Sequence, residues 1–442
     1  MTRRLPLKSV TAMLGLSLVL GVAEVHSGPT EQAKKIHERL TGALPSTEVV
    51  SPATQSVLQQ METEIGGTDS NSDGLSGGVG AAYIAMEHQG FYGATIKNWV
   101  APWTNRDQDV FVPFNDYSAT VIGFIEDDLD FRGILYSNLI GVSTHPDAPA
   151  YSTVRTYDDE NDDIVDHYEF IERNNHYDTI ELQAQTAVTG LPLEAVAGVM
   201  TTHAAAKAFF IDGTNRAMLR FTMLNHMCRD LEQVQDTSRS PDRIRQDVSR
   251  SPGGDSRVFL NNCISCHSGM DPLAQAFAYY DYENPEGDGT THQLVYNDVG
   301  DVELDEITNL PVMEADDGPN IQRVQSKYYN NNNTFAAGYV TPDNSWENYW
   351  RAGPNSVLGW NYAGGAPVDG KGEGAESLGR ELAHSKVFAQ CQVQKVFKTV
   401  CLRDPVDAQD LGQLNTLTGN FESNGYRLKQ LFAETADYCK GA

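Results

Sequence analysis

Cysteine is scarce in this chain, with six in 442 residues. That excludes a disulfide-dense scaffold, which small secreted domains use in place of a large core. Basic side chains are also in short supply. Lys and Arg number 32 against 60 Asp and Glu, a formal net charge of −28. So acidic a surface repels nucleic acid and anionic membranes, and supports solubility or docking to basic partners. After the first two dozen residues no stretch is apolar enough to span a bilayer. No repeat of fixed period is visible. A phosphate-cradling loop and a Ser–His–acid set are missing too; the glycines Gly364, Gly365, Gly370, Gly372 and Gly374 read as a plain loop.

The one apolar run stands at the start. Arg3, Arg4 and Lys8 precede the run 13–23, and small residues allow cleavage near Ala23 or Ser27. This is the pattern of a secretory signal peptide over residues 1–27. A membrane helix is the competing reading, weakened by the short run and by Ser17 within it. The predicted cleavage site lacks a cysteine, which argues against a lipid anchor. Export would place the remaining cysteines where disulfides persist.

Periodicity predicts helices over 31–40 and 51–65, a flexible Gly/Ser/Asp stretch over 66–80, and a helix over 81–91. Residues 98–117 read as an aromatic loop whose Trp99, Trp103, Phe111, Phe114 and Tyr117 pack on the helices. The acid run 158–166 reads as a solvated loop. Residues 193–234 read as strongly helical, with Met218, Phe221, Leu224 and Cys228 on one buried face. The segment 249–255 marks a boundary, after which a helix leads into a cysteine pair. Residues 285–362 read as mostly loop, including Asn330 to Asn333 and the aromatic stretch 346–350.

The tail is better defined. Val393, Val396, Phe397 and Val400 share one helical face, and Pro405 stops that helix. Leu411, Leu414, Leu417 and Phe421 define a second helix; Leu428, Leu431 and Phe432 define a third. Three short-linked helices pack up-down-up, so the first and third run parallel. Cys391 and Cys401 then sit on one helix about 15 Å apart and cannot bond to each other. Cys401 and Cys439 both end parallel helices, which predicts a Cys401–Cys439 bridge and leaves Cys391 for Cys228. The alternative is four free, buried cysteines.

The chemistry is concentrated in Cys263-Ile-Ser-Cys266-His267. Cys-x-x-Cys-His is the attachment pattern of c-type haem. Two thiols three residues apart on a helical turn reach two vinyl-derived carbons of one porphyrin, and the next imidazole faces the iron. A zinc site would need a second close Cys or His pair, which the sequence does not have. A thioredoxin-like pair would start a helix that follows a strand, whereas residues 255–260 read as a helix ending in the motif. A chance match is on the order of one in several hundred.

The run from Cys263 through Asp271-Pro272-Leu273 to Tyr280-Asp281 resembles the planctomycete-type cytochrome c domain. That pattern has Cys-x-x-Cys-His, three residues, Asp-Pro-Leu-Gly, then Glu and a terminal aromatic-Asp. Ala274 and Ala278 replace the family's Gly and Glu. The tail from Leu378 to Cys439 is similar to the helical module that follows in the family, and residues 32–42 are similar to its N-terminal helical region. Phe259, four residues before Cys263, stands where many small cytochromes place an aromatic on the haem edge. The resemblance implies haem and export more than a reaction.

A second axial ligand is less defined. Met313 lies in Leu-Pro-Val-Met some forty-odd residues past the motif, and a thioether there would raise the potential; the alternative is an ordinary packed methionine. Met270 is too close in sequence to cross to the other haem face. His292 and His384 remain candidates, whereas His203 and His226 read as structural. Asp69-Ser-Asn71-Ser-Asp73-Gly74 resembles the start of a calcium loop, but its twelfth position is Gly80 rather than Glu, which favours a plain flexible loop.

These readings predict a mainly α chain. It has a signal peptide over 1–27, an N-terminal mainly helical domain over 28–248, a cytochrome c-like haem domain with a loop insertion over 249–377, and a C-terminal three-helix module over 378–442. One covalent haem c is expected, bound through Cys263 and Cys266. His267 is the expected axial iron ligand and Met313 the distal candidate. The expected role is single-electron transfer in a periplasmic or secreted setting, with redox partner proteins presenting basic surfaces, no nucleic acid, and no membrane span in the mature chain. No catalytic residue is assigned. One alternative is a haem-dependent, peroxidase-like oxidoreductase with the N-terminal domain as substrate pocket. The other is a haem-bearing module whose aromatic segments 99–117 and 346–360 bind polysaccharide or a partner protein.

Overall fold

The computed structural model describes residues 27–49, 55–152, 155–156, 166–210, 213–283, 291–298, 323–328, 335, 337–362 and 364–441. Residues 1–26 of the expected signal segment, the acid run up to residue 165, Met313 and Asn330 to Asn333 lie outside the described residues. The described chain is mainly α, with three small antiparallel sheets.

The first helix, Pro29–Thr41, starts with Pro at its first turn and stops at Gly42, whose φ of 72° only glycine adopts readily. The second, Val57–Ile65, is opened by a capping box in which Ser56 and Gln59 satisfy each other's backbone N–H groups. The third, Gly77–Met86, buries Gly78, Gly80, Ala81, Ala82 and Ala85. These small residues let it lie close against the first two helices and against Leu428–Cys439 of the tail.

Two stretches depart from the periodicity. Residues 98–117 are helical through Thr104 rather than a loop, and the helix Asp116–Glu126 begins at their end. Trp99 and Trp103 lie one turn apart, edge to face at 4.5 Å, so aromatic content that reads as loop is a buried helical face. Phe114 and Tyr117 are buried as expected, but Phe111 is 90% exposed. Residues 193–234 are broken into short helical pieces, chiefly His203–Phe209 and Arg216–Met227. Thr214, Asn215 and Cys228 take left-handed φ values of 59°, 58° and 52°, which ends the regular helix on each side of Arg216–Met227. Asn215 is held there because its buried amide donates to the carbonyls of Phe277 and Tyr280, both at 2.8 Å.

Leu139–Ser143 pairs with Ile180–Ala184, and Thr291–Tyr296 lies between Arg155–Thr156 and Tyr280–Glu283. Ser345–Glu347 pairs with Lys371–Glu373. The tail consists of Lys386–Cys401, Ala408–Ser423 and Leu428–Cys439, preceded by Gly374–Ala383. Both expected bridges are present. Cys228 and Cys391 have Cα atoms 5.3 Å apart, and Cys401 and Cys439 5.5 Å. One apolar core runs from Ala33 through Phe277 to Ala436, so residues from all three expected segments share it. A small satellite of Ile244, Val248 and Phe259 packs against Cys263 and Ile264.

Candidate functional site

The helix that carries the cysteines is opened by Asp255, whose carboxylate accepts the Arg257 N–H at 2.9 Å. It widens to a π-turn over Phe259–Cys263 and continues as Ile264–Ala274. The helix therefore passes through the motif instead of ending in it. Pro272 sits in its last turn, where the lost N–H breaks only one bond of a ladder about to end. Gly269 faces Trp350 so closely that a Cβ would run into the indole. That contact fixes the depth at which the helix lies on the core.

Cys263 and Cys266 are both free and half-exposed, whereas the other four cysteines are bridged. The Cys266 thiol lies 3.6 Å from the Leu231 carbonyl, and burial pushes its pKa up, keeping it protonated at neutral pH. Phe259 is buried with the Arg250 guanidinium 4.7 Å above its ring, and Arg250 also covers Phe335 at 4.7 Å. Beside the cysteines, Val258 and Leu260 leave apolar surface exposed.

His267 is held from one side. Its Nδ1 lies 3.0 Å from Oδ1 of Asp271, one helical turn on, and Nε2 makes no hydrogen bond among the described residues. Asp271 is buried and anchored from several directions. Arg216 donates through Nε at 2.7 Å and Nη2 at 3.1 Å, and the Arg245 amide donates at 3.3 Å. Arg216 also bonds to Asp247 through both terminal nitrogens. Arg245 is itself buried, donating to the carbonyls of Thr214 and Asp271, with its guanidinium 4.5 Å from the Tyr328 ring. Burial alone would raise the Asp271 pKa, but Arg216, then His267 and Arg245, outweigh it and hold the group well below the usual carboxylate range. A carboxylate ionised at that position can only accept. Nδ1 of His267 is therefore the donor in that contact.

The donor set fits a c-type haem: two unbridged thiols one helical turn apart, and a following imidazole whose Nε2 has no hydrogen bond among the described residues. Of the other candidates, Met313 lies outside the described residues. Met270 is buried on the same helix as His267. His292 stacks on Tyr282, and His384 stacks on Tyr136 with Nδ1 2.9 Å from the Arg380 carbonyl. His203 meets the Tyr282 hydroxyl at 3.0 Å and His226 the Tyr117 hydroxyl at 2.7 Å, as structural histidines do.

Sequence reasoning missed Arg216, Arg245 and Asp247, and it gave Asp271 no role. The His267–Asp271 spacing of four residues on a helix was a usable signal. The three others, Arg216, Arg245 and Asp247, come from the segment before residue 249, and nothing in their local pattern points to the motif.

No family model matches this chain, and no curated protein and no solved structure matches it either.

Proposed function

We propose that this chain is an exported c-type cytochrome that carries one haem c and transfers single electrons in the periplasm or outside the cell. The observation that carries the reading is the state of the Cys263-x-x-Cys266-His267 turn. Its two thiols are unbridged while all other cysteines are bridged, and its imidazole is oriented by a buried carboxylate with Nε2 free. The short likeness of residues 263–281 to planctomycete-type cytochrome c domains adds to it. In this reading residues 28–248 form the mainly helical N-terminal part, 249–377 the haem part and 378–442 the helical module.

Haem c, when bound, supplies an iron that cycles between ferric and ferrous states. The chain supplies the rest. Cys263 and Cys266 would hold the porphyrin through thioether bonds, and His267 would ligate its iron. Asp271 orients the His267 ring, and with haem bound it would make the imidazole a stronger electron donor and lower the potential. Arg216 and Arg245 keep that carboxylate charged. The excess of acidic residues suits docking to redox partners with basic surfaces.

The same Asp271–His267 pair favours a second reading. A carboxylate-backed imidazole supports peroxidase-like chemistry where the sixth iron position is open. One experiment separates the two. The protein is exported from a host competent in haem ligation, and spectra are recorded oxidised and reduced, with and without carbon monoxide. Electron transfer predicts low-spin bands that carbon monoxide leaves alone, and Met313→Ala then abolishes the thioether band. Bands that shift on carbon monoxide favour the enzyme, and a colourless product contradicts both.

A further inference from the structure

The haem reading leaves the Asp69–Gly74 segment unexplained. A cluster of surface acids is usually a solvated turn. What singles this one out is the residue beneath it. Glu64, at the end of the helix Val57–Ile65, is fully buried at 0% exposure, and its Oε2 has no hydrogen-bond partner among the described residues. A buried carboxylate oxygen without a donor is a costly arrangement that a cation would relieve. Its Oε1 accepts the Ser70 N–H, so the carboxylate is turned toward the loop, where the Ser70 hydroxyl is also buried without a partner among the described residues.

Gly80 supplies a second observation. With Asp69 as the first position of a twelve-residue calcium loop, Gly80 is the twelfth, where such loops carry a bidentate Glu. A Cβ at Gly80 would collide with Glu64 Oε2. The Glu64 carboxylate thus fills the space at the foot of the missing side chain, reaching it from the helix that enters the loop. The loop itself is already wound. Asp69 accepts the N–H groups of Ser72 (2.6 Å) and Gly74 (2.9 Å), Asn71 accepts that of Asp73 (3.2 Å), and Asp73 accepts that of Leu75 (2.8 Å). Ser72 and Gly74 take left-handed φ values of 65° and 85°. Among the described residues no three His, Cys, Asp or Glu side chains already converge on an ion position. The loop also offers oxygens of other kinds, the Asn71 side-chain amide and the backbone carbonyls, beside the Asp69 and Asp73 carboxylates.

We propose that residues 69–75 together with Glu64 form a Ca²⁺ site. Oxygen ligands of mixed kind in an irregular shell suit Ca²⁺, whereas Mg²⁺ demands a compact octahedron. The helix that follows, Gly77–Met86, packs on both preceding helices and on Leu428–Cys439, so an ion at this corner would stiffen the junction between the two ends of the chain.

The test is calorimetric titration of the full chain with CaCl₂, paired with thermal unfolding in CaCl₂ and in chelator. The expected result is one Ca²⁺ per chain with Kd on the order of 10⁻⁴–10⁻³ M, the range of extracellular calcium modules, and a higher Tm with Ca²⁺ than with chelator. Asp73→Ala, at an exposed position that leaves the core intact, and Glu64→Gln should each abolish the heat and the Tm shift. Absence of both signals in the wild-type chain overturns the site, as does an Asp73→Ala chain that binds like wild type. A Glu64→Gln chain that still binds removes Glu64 and overturns the proposal as stated.

Discussion

The two kinds of cysteine in this chain occupy opposite settings. Cys228–Cys391 and Cys401–Cys439 join helices across the core and close loops of 163 and 38 residues in sequence separation. Cys263 and Cys266 share one helix, half-exposed, next to a histidine whose Nε2 has no hydrogen bond among the described residues. The first kind stabilises by restricting the unfolded chain. The second restricts nothing, since a helix already fixes both residues. Position in the fold, not abundance, separates the four bridged sulfurs from the two free ones that the haem reading uses.

Exchanging the two kinds by mutation gives the largest effects. Cys263→Ser with Cys266→Ser should remove covalent haem completely while both bridges still form, read by pyridine haemochrome and thiol titration. Cys228→Ser with Cys391→Ser should do the reverse: the chromophore stays and unfolding becomes easier by about 2–5 kcal/mol in a denaturant titration. A double serine variant at 263 and 266 that keeps its haem would break the distinction.

A smaller effect separates the orienting carboxylate from its scaffold. Asp271→Asn should raise the midpoint potential in redox titration, because the neutral amide no longer strengthens the His267 donor, and should cost about 3 kcal/mol of stability from the buried ion pair with Arg216. Asp247→Asn disturbs the same arginine without touching His267, so its potential should stay at the wild-type value. Equal potentials in the two variants would reduce Asp271 to a structural role.

The smallest effect lies beside the Cys228–Cys391 bridge. Lys395 rests over the Trp103 ring at 4.1 Å and donates to the Asn225 carbonyl, and burial lowers its pKa from 10.5 to about 7. Between pH 7 and 10.5 the unfolded chain holds the proton that the folded chain has released. Stability therefore rises with pH across that window, and the cost of burying the charge is fully present below it. Lys395→Met should flatten that slope in thermal unfolding at pH 7 and pH 9; an unchanged slope would place its origin elsewhere.

Much of this was legible beforehand where the signal is local. The tail helices follow from apolar spacing, and their bridges follow from helix direction plus the length of one helix between Cys391 and Cys401. The motif turn needed only five residues. What stayed hidden depends on distant partners. Residues 193–234 look continuous until Asn215 is seen bonding Phe277 and Tyr280. Residues 98–104 look like loop until Trp99 and Trp103 are seen burying against Phe432 and His226. Phe111 shows the converse, an aromatic left 90% exposed. Arg216, Arg245 and Asp247 carry no pattern that predicts Asp271 as their common partner, since a buried charge network is fixed by the tertiary fold and not by spacing. Glu64 is hidden in the same way, because a search at the twelfth loop position finds only Gly80.

The central claim meets its most direct test in an intact-mass measurement on denatured, exported protein. The account predicts a chain heavier by one haem, with the added mass on the peptide that contains Cys263 and Cys266. A chain at its bare polypeptide mass, with those two sulfurs alkylatable or joined to each other, would contradict it.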